Sequence, residues 1–136
     1  MKKRVVLADD DADDTLLFEE VFAELPVDQY ELMTVGNGEA VFELLDGITE
    51  ATLLPHLIIL DQNMPLMNGK DTLMKLKGIP RYENIPVIIY STYNDKSFIE
   101  ECAALGVQSV ISKPDSYEGY IRMINNLLKY SSDPIA

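Results

Sequence analysis

Four short apolar runs in this sequence end in residues able to do chemistry. Val5, Val6 and Leu7 lead into Asp9, Asp10 and Asp11; Leu57, Ile58, Ile59 and Leu60 end at Asp61; Val87 to Tyr90 end at Ser91; Val107 to Ile111 precede Lys113. Carboxylates that converge repel one another, which raises a pKa or recruits a cation, and oxygen-only ligands suit Mg²⁺ or Mn²⁺ better than zinc. An ammonium and a hydroxyl beside such a cation suit the oxygens of a phosphoryl group. A carboxylate can itself act as the nucleophile and form an aspartyl phosphate. Asp61 is the best placed for that role, because its apolar run reads as a central strand buried on both faces.

Such a constellation needs a scaffold that carries several strand ends to one rim, and the chain spells one out. Strands at Val5–Leu7, 30–35, Leu57–Leu60, 87–90 and 107–111 alternate with five helical segments. The first helix carries Leu16, Leu17, Phe18, Val21, Phe22 and Leu25, and Pro26 closes it. The second runs over 39–45 after the Asn37-Gly38 turn, with Ala40, Val41, Leu44 and Leu45 inward. The third follows Asn68-Gly69, is marked by Leu73, Met74 and Leu76, and stops at Gly78 and Pro80. Asn94 or Asp95 caps the fourth, over 96–105, and Gly106 ends it. The last covers 117–130. Parallel strands joined by helical crossovers give an α/β doubly wound sheet, and open sheets of this kind bind ligands at the carboxyl ends of their strands.

Composition narrows the function. At 136 residues the chain is one domain, and apolar and charged fractions of 47% and 25% are ordinary globular values. No apolar run is long enough to span a bilayer and the N-terminus is not a signal peptide, so a cytoplasmic location is expected. The net charge of −12 disfavours nucleic acid and anionic membranes as partners. Cys102 falls in an apolar helical pattern and reads as a small core residue. His56, the only histidine, precedes the third strand at the far end from Asp61 and reads as structural, which leaves a catalytic triad or phosphohistidine relay without its base. Asp9, Asp11, Asp13 and Glu20 have the spacing of an EF-hand loop, but Asp14 stands where that loop needs glycine and a strand precedes it. Asp11, Asp13 and Asp14 read instead as acids favouring the start of a helix. Met64 and Met67, on either side of Pro65, read as loop packing more than as a partner-facing lip.

Taken together, the Asp9-Asp10 pair, the LDQNMPLMNG block, a hydroxyl 30 residues after Asp61 and Lys113-Pro114 beginning 52 residues after it resemble a response-regulator receiver domain of two-component signalling, of the stand-alone chemotaxis type. The resemblance implies a receiver domain over 1–130 with a tail over 131–136, and a flavodoxin-like five-stranded parallel sheet of strand order 2-1-3-4-5. It assigns Asp61 as phosphoacceptor. It places Mg²⁺ (or Mn²⁺) on Asp10, Asp61 and the backbone carbonyl of Asn63, with Asp9 acting through water. Ser91, Thr92 and Lys113 would form the phosphoryl-binding and switch group, Tyr93 would flank the site, and the peptide before Pro114 would be cis. The implied partners are a histidine kinase or histidine phosphotransfer protein and an unidentified output protein, with no catalysis beyond the domain's own phosphorylation and dephosphorylation. Two positions depart from the pattern: Val110 stands where the family usually has an aromatic switch residue, and Thr92 where it prefers a very small one. The contrasting enzyme reading is a small Mg²⁺-dependent aspartyl-phosphate phosphatase, which needs a carboxylate where this chain has Asn63. A flavin-binding protein of the same fold lacks its Ser/Thr-rich phosphate loop here.

Overall fold

A computed structural model describes residues 2–25, 29–92 and 94–131. Pro26, Tyr93 and residues 132–136 of the tail lie outside the described residues. The chain runs β1 (Lys3–Ala8), α1 (Ala12–Glu24), β2 (Tyr30–Val35), α2 (Gly38–Asp46), β3 (Leu57–Asp61), α3 (Gly69–Lys77), β4 (Val87–Ser91), α4 (Lys96–Ala104), β5 (Ser109–Ser112) and α5 (Tyr117–Leu127), with single 3₁₀ turns at Ala51–Leu53 and Leu128–Tyr130. All strand pairs are parallel, in the order β2-β1-β3-β4-β5. The register is what matters for function. Ala8 lies opposite Leu60, Asp61 opposite Tyr90 and Ser91 opposite Ser112, so the polar residues that follow β1, β3, β4 and β5 meet at one edge.

Alternate residues of the three inner strands feed two apolar layers, as the period of two requires. Val6, Ala8, Ile58, Leu60, Val87 and Ile89 pack with Val41, Phe42, Leu45, Leu73, Leu76 and Cys102 on the side of α2, α3 and α4. Val5, Leu7, Leu57, Ile59, Ile88 and Tyr90 pack with Phe18, Val21, Phe22, Tyr120, Ile124 and Leu127 on the side of α1 and α5. Each helix begins at a side-chain cap: Asp11, Asn37, Asn68, Asp95 and Ser116 each accept a backbone N–H of the first turn. Asp95, not Asn94, is therefore the cap of α4. Cys102 is a buried core residue, as its place in the pattern indicated.

At the amino end of the sheet, His56 Nδ1 accepts the Arg4 N–H at 3.0 Å, and the buried Arg4 guanidinium donates to Leu53 O at 2.8 Å and Thr52 O at 2.6 Å. This pair closes the loop before β3, which accounts for His56 structurally.

Several expectations are corrected. The fifth strand starts two residues later than 107, because Val107 N–H still bonds back to Cys102 O at 3.2 Å around Gly106, whose φ of +92° turns the end of α4. Leu16, expected on the apolar face of α1, is 55% exposed; burial there follows the spacing of Phe18, Val21 and Phe22, and Leu16 falls off that stripe. Phe42, absent from the expected inward face of α2, is part of the core. The expected cis peptide before Pro114 is not found. No peptide bond is cis among the described residues. The trans form is intrinsically lower by about 0.5–1 kcal/mol, and the chain passes from Pro114 through the Ser116 cap into α5 without a reversal that would demand the other isomer.

Candidate functional site

The loop after β3 is shaped around Asp61. Gly69 approaches so closely that a Cβ there would stand 2.6 Å from the Asp61 carbonyl oxygen, so only glycine lets α3 begin at this place. Gly69 N–H bonds to Gln62 O at 3.1 Å, Lys70 N–H bonds to Gln62 Oε1 at 2.8 Å, and the Asn68 side chain caps the helix. Between them, Met67 N–H bonds to Pro65 O at 2.7 Å across Leu66, whose φ of 68° makes this a tight, strained γ-turn with an exposed leucine at its tip. Met64 is buried and Met67 packs against the core, in keeping with the loop-packing reading of both.

Asp9 and Asp61 are buried, at 4% and 3% exposure, whereas Asp10 is exposed. One carboxylate oxygen from each of the three lies within 4.8 Å of the others. Lys113 Nζ stands among them, 3.2 Å from Asp61 Oδ2, 3.3 Å from Asp9 Oδ2 and 2.7 Å from Asp14 Oδ2. Burial pushes the Asp61 carboxyl up to about 7; the Lys113 charge opposes this and the Asp9 charge reinforces it. For Lys113 burial works to lower the ammonium, but the hydrogen bond to Asp14 and the charges of Asp61 and Asp9 outweigh it and hold the group above its usual range. Lys113 N–H also bonds to Ser91 O at 2.9 Å, which ties the end of β4 to the residue after β5.

The sequence-derived residues do not all stand alike. Asp9, Asp10, Asp61 and Lys113 are brought together. Ser91 is buried at the end of β4, next in line to Tyr90, which is the partner of Asp61 across the ladder. Asn63 donates its backbone N–H to Asp61 Oδ1 at 3.3 Å. Thr92 is exposed, and Tyr93 lies outside the described residues. Val110 is half-buried against the α2–α4 layer.

Two contacts were missed. Tyr90 donates its buried hydroxyl to Asp9 Oδ2, and its ring lies under Lys113 Nζ at 4.8 Å. Asp14 supplies the shortest contact to that ammonium. The signal for Tyr90 was a tyrosine at the end of a strand buried on both faces, since a buried hydroxyl seeks a partner. For Asp14 it was the helical spacing that puts it one turn before Phe18, on the face turned to the sheet.

Three oxygen donors of mixed burial within reach of one another fit a hard divalent cation, and an ammonium at their inner side suits an anionic group. Residues 5–125 match the response regulator receiver domain family. The chain belongs to that family. It is thus a receiver domain of two-component phosphorelay signalling, in which phosphorylation on aspartate is characteristic. Sporulation initiation phosphotransferase F of Bacillus subtilis is 32% identical over 114 residues, 84% of either chain. Response regulator Rcp1 of Synechocystis sp. is 27% identical over 92% of this chain and 86% of its own length; its Mn²⁺-bound crystal structure superposes with a TM-score of 0.78 over 91% of this chain and 90% of the other. The phosphorylated cyanobacterial phytochrome response regulator RcpA superposes with a TM-score of 0.84 at 27% identity, over 98% of this chain and 99% of the other.

Proposed function

We propose that this receiver domain accepts a phosphoryl group on Asp61 from the phosphohistidine of a histidine kinase or phosphotransfer protein and passes the signal on by a change in protein contacts. The observation that carries the reading is the buried Lys113 ammonium, within 3.2 Å of Asp61 and 3.3 Å of Asp9 at the carboxyl edge of the sheet. An Asp61 oxygen attacks phosphorus, the phosphorus–nitrogen bond of the donor breaks, and the electron pair leaves with the imidazole. The nucleophile must be ionised, and Lys113 opposes the burial that favours the protonated carboxyl.

Asp10, Asp61 and the Asn63 carbonyl are the proposed ligands of Mg²⁺ or Mn²⁺, with Asp9 acting through water. That assignment agrees with how Asp9 is already committed: Oδ1 accepts the Asp11 N–H at 2.9 Å, and Oδ2 accepts from Tyr90 and lies 3.3 Å from the Lys113 ammonium as an ion pair. A divalent cation supplies charge neutralisation to the phosphoryl oxygens. Lys113 orients one phosphoryl oxygen, and Ser91, with Thr92 beside it, is the switch hydroxyl that a phosphoryl group draws on. The phosphatase alternative is not favoured, since Asn63 cannot serve as general acid or base.

Intact mass after incubation with acetyl phosphate and Mg²⁺ tests the reading. The wild type should gain one phosphoryl group and Asp61→Asn none; an adduct on both proteins would remove Asp61 from the role.

A further inference from the structure

Lys113 has three N–H donors and stands among three carboxylates: Asp14 at 2.7 Å and Asp61 at 3.2 Å accept hydrogen bonds from it, and Asp9 pairs with its charge at 3.3 Å. The tightest partner is thus the one furthest from the proposed chemistry. Asp14 projects from the first turn of α1, and its side chain is 33% exposed, so it has room to turn. One helical turn along the same face, Phe18 packs edge-on against Tyr120 of α5, with ring centroids 6.4 Å apart and planes at 87°. Tyr120 is 1% exposed, yet its hydroxyl has no hydrogen-bond partner among the described residues. Buried hydroxyls are almost always paired, because an unpaired one forfeits its hydration without replacement. After burial itself, the charge of Asp14 is the strongest influence on this phenol.

We propose that Asp14 is a positioning residue that exchanges partners on phosphorylation: Lys113 leaves it for the phosphoryl group, and the released carboxylate accepts the hydrogen bond that the Tyr120 hydroxyl lacks. The inference rests on Asp61 as phosphoacceptor. Before phosphorylation, Asp14 holds the ammonium over the site, and Tyr120 is left without a partner. Afterwards the phosphoryl oxygens compete for the same three donors, and Asp14 would be left with an uncompensated charge at a half-covered position. Turning to Tyr120 satisfies both groups. Because Asp14 belongs to α1 and Tyr120 to α5, the exchange draws these two helices together on the face opposite the α2–α4 layer. It gives a receiver domain with valine at 110 a route from its site to a helix pair that does not need an aromatic switch on β5.

A double-mutant cycle tests the exchange, with beryllofluoride in constant excess Mg²⁺ as the phosphoryl mimic and calorimetric titration as the readout. Tyr120→Phe should raise the melting temperature of the metal-free protein, because it removes an unpaired buried hydroxyl, while weakening beryllofluoride binding two- to fivefold. In an Asp14→Ala background the same substitution should leave beryllofluoride affinity unchanged. A merely structural role for Tyr120 would shift melting without this dependence on Asp14. Equal affinity for wild type and Tyr120→Phe, or the same loss in both backgrounds, overturns the exchange and leaves Asp61 as phosphoacceptor. Absence of beryllofluoride binding by the wild type overturns both.

Discussion

The hydroxyl of Tyr90, at the penultimate position of β4, donates to the carboxylate of Asp9 just beyond β1, reaching over β3, which lies between them in the sheet. The phenol is buried, and burial together with its hydrogen bond to Asp9 and the charge of Asp9 holds it above its ordinary range, which favours it as a donor. Asp9 in turn has both oxygens occupied within the protein. Tyr90→Phe keeps the ring on Phe18 and under Lys113 but strips one donor from a buried carboxylate. A hydrogen bond to a charged group contributes about 1.5–3 kcal/mol. The variant should lose about that much stability in urea unfolding without divalent cations, and an unchanged midpoint would deny the bond its role.

Asp61 should make the metal-free protein less stable as pH rises. Its carboxyl is raised from 3.8 to about 7 in the folded protein, so between these values the native state binds the proton that the unfolded state has released. Stability from this group is fully present below about pH 4 and is lost as pH climbs through about 7. Melting temperatures of wild type and Asp61→Asn, measured from pH 4.5 to 7.5 without divalent cations, should diverge, with the variant increasingly the more stable toward pH 7.5. Parallel curves would show that Asp61 is not held above its ordinary range.

Repulsion among the clustered carboxylates makes added cation stabilising. With the carboxylate oxygens of Asp9, Asp10 and Asp61 within 4.8 Å of one another, a divalent ion that binds only the folded chain raises stability by mass action, about 2.7 kcal/mol at a concentration 100 times its dissociation constant. Asp10 is the exposed member and, unlike Asp9, is not engaged by Lys113. Asp10→Asn should therefore raise the metal-free melting temperature slightly and flatten its rise with Mg²⁺. A Mg²⁺ response equal to that of wild type would remove Asp10 as a ligand.

Much of this architecture could be read from residue types. Strand ends fell at Asp61 and Ser91 because a continuous apolar run can continue only while both faces are covered, and the first polar residue marks the rim. Helix starts were legible at Asn37, Asn68 and Asp95 for a local reason, the need to satisfy the first turn's N–H groups. Leu16 was misjudged inward because apolar character alone does not set the angle of a helix about its axis; only neighbours such as Phe18 do. The peptide before Pro114 came from family resemblance and not from any local residue, and it is the one site feature the structure reverses. The bonds that Tyr90 and Asp14 make at the site were not legible because their partners lie 81 and 99 residues away, at Asp9 and Lys113. Such pairings depend on the register of β1 against β3 and β4, which periodicity leaves open.

Gly69 offers a test in which two physical effects oppose each other. It is the first residue of α3, and replacing a helical glycine by alanine ordinarily stabilises by about 0.8–1.0 kcal/mol. Here the new methyl would stand 2.6 Å from the Asp61 carbonyl oxygen and 3.0 Å from the Gln62 Cα, both backbone atoms that cannot step aside as a flexible side chain would. Relief requires α3 to move away from the end of β3, which strains the Gly69-to-Gln62 and Lys70-to-Gln62 bonds and shifts the backbone that carries the proposed phosphoacceptor. Overpacking of this kind costs about 1–3 kcal/mol, enough to outweigh the helix gain. Gly69→Ala should therefore be less stable than wild type in urea unfolding and slower to gain a phosphoryl group from acetyl phosphate. Gly78→Ala, at the far end of the same helix where a Cβ meets nothing closer than 3.5 Å, should have no comparable effect on phosphorylation. If Gly69→Ala were as stable and as readily phosphorylated as Gly78→Ala, close packing of α3 against Asp61 would not be what shapes the site.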